Sequence, residues 1–203
     1  MTSIPHIPSI TLPAFIFASP AASILLPITL GSAIGYSTQP KKTQKAYNSI
    51  TQPPLHPPAW VFGPTWTLLY GTMGYAAHRA TALGLSSPNA RIRTLALTGA
   101  TLYSTQLALN LAWMPIFFGA RQPALALVDI VALMGNVGCL AYVWKQCDPL
   151  AAWLMVPYLG WLGFATYLNV GVGVLNGWNM SGAGGEVKLV KEEEEEEEEV
   201  KEE

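Results

Sequence analysis

Two segments of this chain set amides and indoles at helical spacing. "QLALNLAWMPIFFGARQ" holds Gln106, Asn110 and Trp113, and "PYLGWLGFATYLN" holds Tyr158, Trp161, Tyr167 and Asn169. A third, "PPAWVFGPTWTLLY", adds Trp60 and Trp66. Their chemistry is non-covalent recognition: an indole offers its face to a flat ring, and an amide orients it. Groups suited to covalent or metal chemistry are scattered. His6, His56 and His78 lie in different segments, and the chain has no HxxxH spacing, paired cysteine ligands, phosphate-binding glycine loop or Ser/His/Asp set. No catalytic residue and no required cofactor follows from the residues. Interhelical hydrogen bonding by itself accounts for Gln106, Asn110, Asn136 and Asn169, and interface anchoring for a lone tryptophan. A ligand pocket accounts for these amides together with Trp66, Trp113 and Trp161.

The elements that must carry these groups are apolar. Of 203 residues, 51% are hydrophobic and 12% charged, about half the charge of a soluble domain. Eleven of the 13 acidic residues fall between Glu186 and Glu203, so a basic apolar body carries an acidic appendage. A bilayer span needs roughly 20 mostly apolar residues, because each backbone polar group must be satisfied inside the segment. Five stretches meet this: Phe15–Ser37, Pro64–Leu85, Arg91–Met114, Pro123–Trp144 and Leu150–Gly177. The expected fold is all-α, a polytopic five-transmembrane-helix bundle over residues 15–180, after an N-terminal segment 1–14 and before an acidic low-complexity tail 181–203. That tail repels itself and is expected to be disordered. Met1 to Ala14 has no Lys or Arg, so the first stretch is read as a retained helix rather than a cleaved signal. Cys139 and Cys147, within and just beyond one apolar run, read as free thiols. Basic residues flanking the stretches favour, seven against four, a cytosolic first loop and C-terminus. The partner is the lipid bilayer, and no nucleic acid is expected.

In the third segment, Pro57 and Pro58 hold the chain extended. Gly63-Pro64 is expected to turn it and preset the first helical turn, where a missing N–H costs nothing. The segment aims a helix, with Trp66 one turn inside it.

These residues resemble the translocator protein family, TspO/MBR, also called the peripheral benzodiazepine receptor or tryptophan-rich sensory protein. The likeness rests on "PPAWVFGPTWTLLYGTMGYA", "QLALNLAWMPIFFGARQPALALVD" and "PLAAWLMVPYLGWLGFATYLN", and covers about Tyr47 to Leu168. It implies five transmembrane helices and a cavity beneath the loop between the first two. It also implies binding of porphyrins, including haem, of sterols, and of synthetic isoquinoline or benzodiazepine-type ligands. Residue by residue, the family's pocket positions fall on Trp66, Trp113, Trp161, Ala165 and Leu168, with Asn110 and Asp129 also matching. Tyr47 and His56 fall on the loop expected to act as a lid over residues 38–58.

Asp129 would lie two turns into a membrane helix and is expected to need a partner such as a helix-three amide. The family's Trp-Tyr in the first loop is Ala46-Tyr47 here, and the Tyr and Arg of the animal cholesterol motif are replaced by Val170 and Val174. The resemblance implies a receptor or carrier in tetrapyrrole or sterol trafficking, in the mitochondrial outer membrane of a eukaryote or else an endomembrane. Its enzymatic alternative is light- and oxygen-dependent porphyrin degradation, which would use Trp66 and Trp161. Ala96, Ala100, Ser104, Ala108 and Ala112 recur every fourth residue, a small-residue stripe that suits a homodimer through the third helix.

Overall fold

A computed structural model of the protein describes residues 11–38 and 40–178; the acidic tail and the start of the N-terminal segment lie outside them. Among the described residues, eight α-helices form a membrane helical bundle: α1 (Ala14–Ala18), α2 (Pro20–Ser37), α3 (Pro40–Ser49), α4 (Phe62–Leu85), α5 (Ala90–Met114), α6 (Pro123–Cys147), α7 (Pro149–Leu154) and α8 (Val156–Leu175). Local chemistry sets three of their starts. Ser19 caps α2 ahead of Pro20, the Asn89 side chain accepts from the Arg91 N–H, and Asp148 caps α7 ahead of Pro149.

The five apolar stretches become five long rods, two of them broken. The first divides at Ser19 into α1 and α2, because Ser19 leaves the helix to cap α2, and the fifth divides at Met155 into α7 and α8. By length and apolar composition, three rods suffice to cross a membrane: Pro20–Ser37, Pro123–Cys147 and Pro149–Leu175. The remaining two, α4 and α5, have 24 and 25 residues and so also have the length, but carry more threonine, amide and basic side chains.

One expectation is corrected, and two features are added to the sequence reading. Gly63-Pro64 makes no turn: a short 3₁₀ segment, Ala59–Val61, runs straight into α4 at Phe62. Pro64 is tolerated there because the first four helical N–H groups have no intrahelical partner. The stretch between the first two rods is not irregular, since half of it is α3. Beyond Met114, the chain widens into a π-helical turn, Pro115–Gly119, closed by Ala120 N–H to the Pro115 carbonyl at 2.8 Å.

The core is densest where α4, α5 and α6 meet. Tyr103 and Trp144 stack with centroids 6.0 Å apart, and Trp144 lies over Gly99, where a Cβ would collide with the indole. Met73, Ala76, Ala77 and Ala80 of α4 are wholly buried nearby. Close packing of small residues is the main way helices associate where lipid is as apolar as the side chains. It also decides the small-residue stripe. Ala96 and Ala100 are 0% and 2% exposed and Ser104 is buried too, so that part of the stripe packs within the chain and presents no face to a second copy. Pro27 has no N–H for the Ser23 carbonyl, and α4 comes closest at that carbonyl, opposite Gly74.

Candidate functional site

At the end of the bundle away from the Tyr103–Trp144 stack, the rods part around a cavity of about 620 Å³. Its walls include Gly31 and Gly35 of α2, Trp66 and Tyr70 of α4, Asn110 and Trp113 of α5, and Ala165 and Leu168 of α8; α3 roofs it with Thr43, Gln44 and Tyr47. No Asp, Glu, Lys, Arg or His is among the described residues that line it. Nor do three His, Cys, Asp or Glu gather anywhere among the described residues in a way that could hold a metal ion.

The floor is a hydrogen-bonded chain across three helices. The Tyr70 hydroxyl donates to Asn110 Oδ1 at 2.7 Å, Asn110 Nδ2 donates to the Tyr158 hydroxyl at 2.8 Å, and that hydroxyl donates to Gln106 Oε1 at 3.1 Å. Every member is buried. In a low-dielectric interior a satisfied chain of this kind is rigid, and removing one link strands its neighbours. Asn110 is therefore held at the wall by tyrosines on both sides. A second chain fixes Trp113: its Nε1 donates to Asn169 Oδ1 at 3.2 Å, Asn169 Nδ2 donates to the Pro123 carbonyl at 2.9 Å, and the indole stacks on Phe117 at 4.8 Å.

The roof is tied down at its C-terminal half. Tyr47 donates to the Pro57 carbonyl at 2.8 Å and packs edge-on against Phe62. Burial pushes its phenol above the ordinary value, so it remains a neutral donor. The strap after α3 is held to α8 by Asn176 on Thr51, by Tyr167 on the Pro54 carbonyl at 2.8 Å, and by Pro53 seated where Gly171 has no side chain. Such a site holds a rigid, mostly apolar body by ring contacts and meets it with few polar groups.

The TspO/MBR family model matches residues 23–175. The chain belongs to the TspO/MBR family. Among its relatives, the translocator protein homolog of Schizosaccharomyces pombe is 47% identical over 152 residues, covering 75% of this chain and 88% of that protein. The human translocator protein is 41% identical over 151 residues, covering 74% and 86%. The tryptophan-rich sensory protein of Cereibacter sphaeroides is 37% identical over 138 residues, covering 68% and 80%.

In this TspO/MBR chain the residues that stand out in the sequence divide into two groups. Trp66, Trp113, Asn110, Ala165, Leu168 and Tyr47 line one cavity. Trp161 stands behind it, edge-on to Trp66 at 6.3 Å and to Phe62 at 5.8 Å. His56 is exposed in the strap, its Nδ1 3.0 Å from the Pro53 carbonyl. Asp129 is buried, but neither amide of the third rod, α5, meets it: Gln106 and Asn110 are engaged by the tyrosines and Met73, and among the described residues Asp129 Oδ2 has no hydrogen-bond partner. Sequence reasoning misses Tyr70, although it lies one turn beyond Trp66 on the same helical face, the signal that finds it. Gly35 and Gly63 also line the cavity; nothing in the sequence marks Gly35, and Gly63 is legible only as a turn residue.

Proposed function

We propose that this TspO/MBR protein is an integral membrane receptor or carrier that takes a porphyrin, such as a haem precursor, or a sterol-like amphipathic compound into the cavity, in tetrapyrrole or sterol trafficking. The observation that carries the reading is the cavity itself, about 620 Å³, walled by the fixed indoles of Trp66 and Trp113 with Asn110 between them. Its size suits a ligand with several fused or linked rings. Two relatives are named translocator and sensory protein, both consistent with binding rather than turnover. Val170 and Val174, 37% and 63% exposed, offer neither hydroxyl nor guanidinium to a sterol on the outer surface, which favours ligands held in the cavity.

The proposal includes five crossings, with α4 and α5 sheltered among more apolar neighbours, in the outer mitochondrial membrane of a eukaryotic cell. A homodimer through α5 would have to use the side of Leu97 and Ala108, which is exposed, instead of Ala96 and Ala100. A second reading, light- and oxygen-dependent porphyrin degradation, is favoured by the Trp66–Trp161 contact, which places a second oxidisable ring beside the one on the cavity wall. Purified protein titrated with protoporphyrin tests both. Saturable quenching of tryptophan fluorescence supports the receptor, a new visible band growing only under light and oxygen supports the enzyme, and no quenching rejects both.

A further inference from the structure

We propose that the ligand reaches the cavity sideways from the bilayer, through a slot between α2 and α4 bordered by Ser32, Gly35, Gly63 and Thr67. The inference rests on the receptor reading above. Glycines along the two helices measure their separation. At Gly74 a Cβ would fall on the Ser23 carbonyl, so the two backbones touch near the start of α2, and at Gly31 it would fall on the Tyr70 ring, which packs against the α2 backbone there. One turn beyond Gly31, at Gly35 on α2, and two turns before Tyr70, at Gly63 on α4, a Cβ would meet nothing within 4 Å. Both residues line the cavity. The helices touch, then part where the cavity begins.

Exposure places the opening on that side alone. The exposed lining residues are Ser32, Gln44, Trp60, Gly63 and Thr67, all from α2, α3, the 3₁₀ segment or the start of α4; every lining residue from α5, the π-turn and α8 is buried or half-buried. The other flank of α2 is closed by Thr38, whose hydroxyl lies 3.7 Å from Met114 Sδ. Above, the strap is bonded to α8. Ser32 lies about 8 Å down α2 from its end at Ser37, well below the helix terminus. The flanking Tyr36 and Leu68 are 82% and 68% exposed, surfaces suited to lipid. The residues that border the slot, glycine, serine and threonine, all have small side chains. The slot admits a flat, rigid, membrane-dissolved ring compound, whereas a hydrated solute would first have to enter the bilayer.

The full chain in phosphatidylcholine vesicles, with protoporphyrin loaded into the same bilayer, tests this by stopped-flow quenching of tryptophan fluorescence. The double variant Gly35→Leu, Gly63→Leu is expected to slow both arrival and departure of the porphyrin by about tenfold, since a narrowed passage retards both directions whereas lost contacts accelerate departure. Gly138→Leu, at an exposed α6 glycine with open space around it, is the control expected to leave both rates as they were. Asn176→Ala, which frees the strap, is expected to leave arrival unchanged. Should the double variant not fold, Ser32→Phe on the exposed side of α2 repeats the test. Intact binding with unaltered arrival in the slot variants, or faster arrival in Asn176→Ala, would overturn the lateral route and point to an aqueous mouth under the strap. No quenching by the unmodified chain would overturn the receptor reading and the slot together.

Discussion

Asn176 brackets the backbone of Thr51: its Oδ1 accepts from the Thr51 N–H at 3.1 Å and its Nδ2 donates to the Thr51 carbonyl at 2.9 Å. The two residues are 125 positions apart, and the pair anchors the strap above the cavity to the last turn of α8. Asn176→Ala removes both bonds, each worth about 1 kcal/mol net. The expected result is faster amide hydrogen exchange confined to residues 51–58, with the exchange of α5 and α6 unchanged. Uniform exchange across the bundle would show that the bracket is dispensable.

Asn110 is the link between the two tyrosines. Asn110→Leu leaves the buried Tyr70 hydroxyl without an acceptor, at a cost of about 1–3 kcal/mol, and takes from Tyr158 its amide donor while its bond to Gln106 remains. Tyr70→Phe removes one end only and should be clearly milder. Thermal unfolding in one detergent checks the order. Equal midpoints for Asn110→Leu and the unmodified chain would contradict the network.

Trp66 and Trp161 should differ in binding because only Trp66 reaches the cavity wall. Trp66→Ala is expected to weaken protoporphyrin binding by about tenfold or more, or roughly 1.4 kcal/mol. Trp161→Ala acts by loosening Trp66, and the loss of one aromatic contact of about 0.5–1.5 kcal/mol sets its scale. Fluorescence titration of both variants decides it, and a larger loss for Trp161→Ala would mean that the ligand passes behind Trp66.

Gly74 should be intolerant. Any side chain there meets the Ser23 carbonyl, which belongs to backbone and cannot swing aside, so Gly74→Val is expected to destabilise by about 1–3 kcal/mol or to prevent folding. Gly71, on the same helix with open space around it, should accept alanine with little change. Matched melting temperatures for Gly74→Val and Gly71→Ala would refute the close α2–α4 contact.

Much of the architecture is local and therefore legible in the chain. The length and apolarity of the stretches follow from satisfying the backbone in lipid, and Ser19, Asn89 and Asp148 mark helix starts because each can accept an orphan N–H. The spacing of Trp66 with Tyr70, and of Gln106 with Asn110 and Trp113, puts each set on one face by helical geometry alone. Which face meets which neighbour is not local. Rotation and tilt of each rod come from the places where a glycine admits a close neighbour: the Ser23 backbone at Gly74, the Tyr70 ring at Gly31 and the Trp144 indole at Gly99. Those contacts put Trp66 on the cavity wall with Trp161 behind it, bury Ala96 and Ala100 within the chain, bring the tyrosines of α4 and α8 to the α5 amides, and part α2 from α4 beside Gly35 and Gly63. A glycine reads the same in sequence whether another backbone lies against it or nothing does, and only the packed helices distinguish the two.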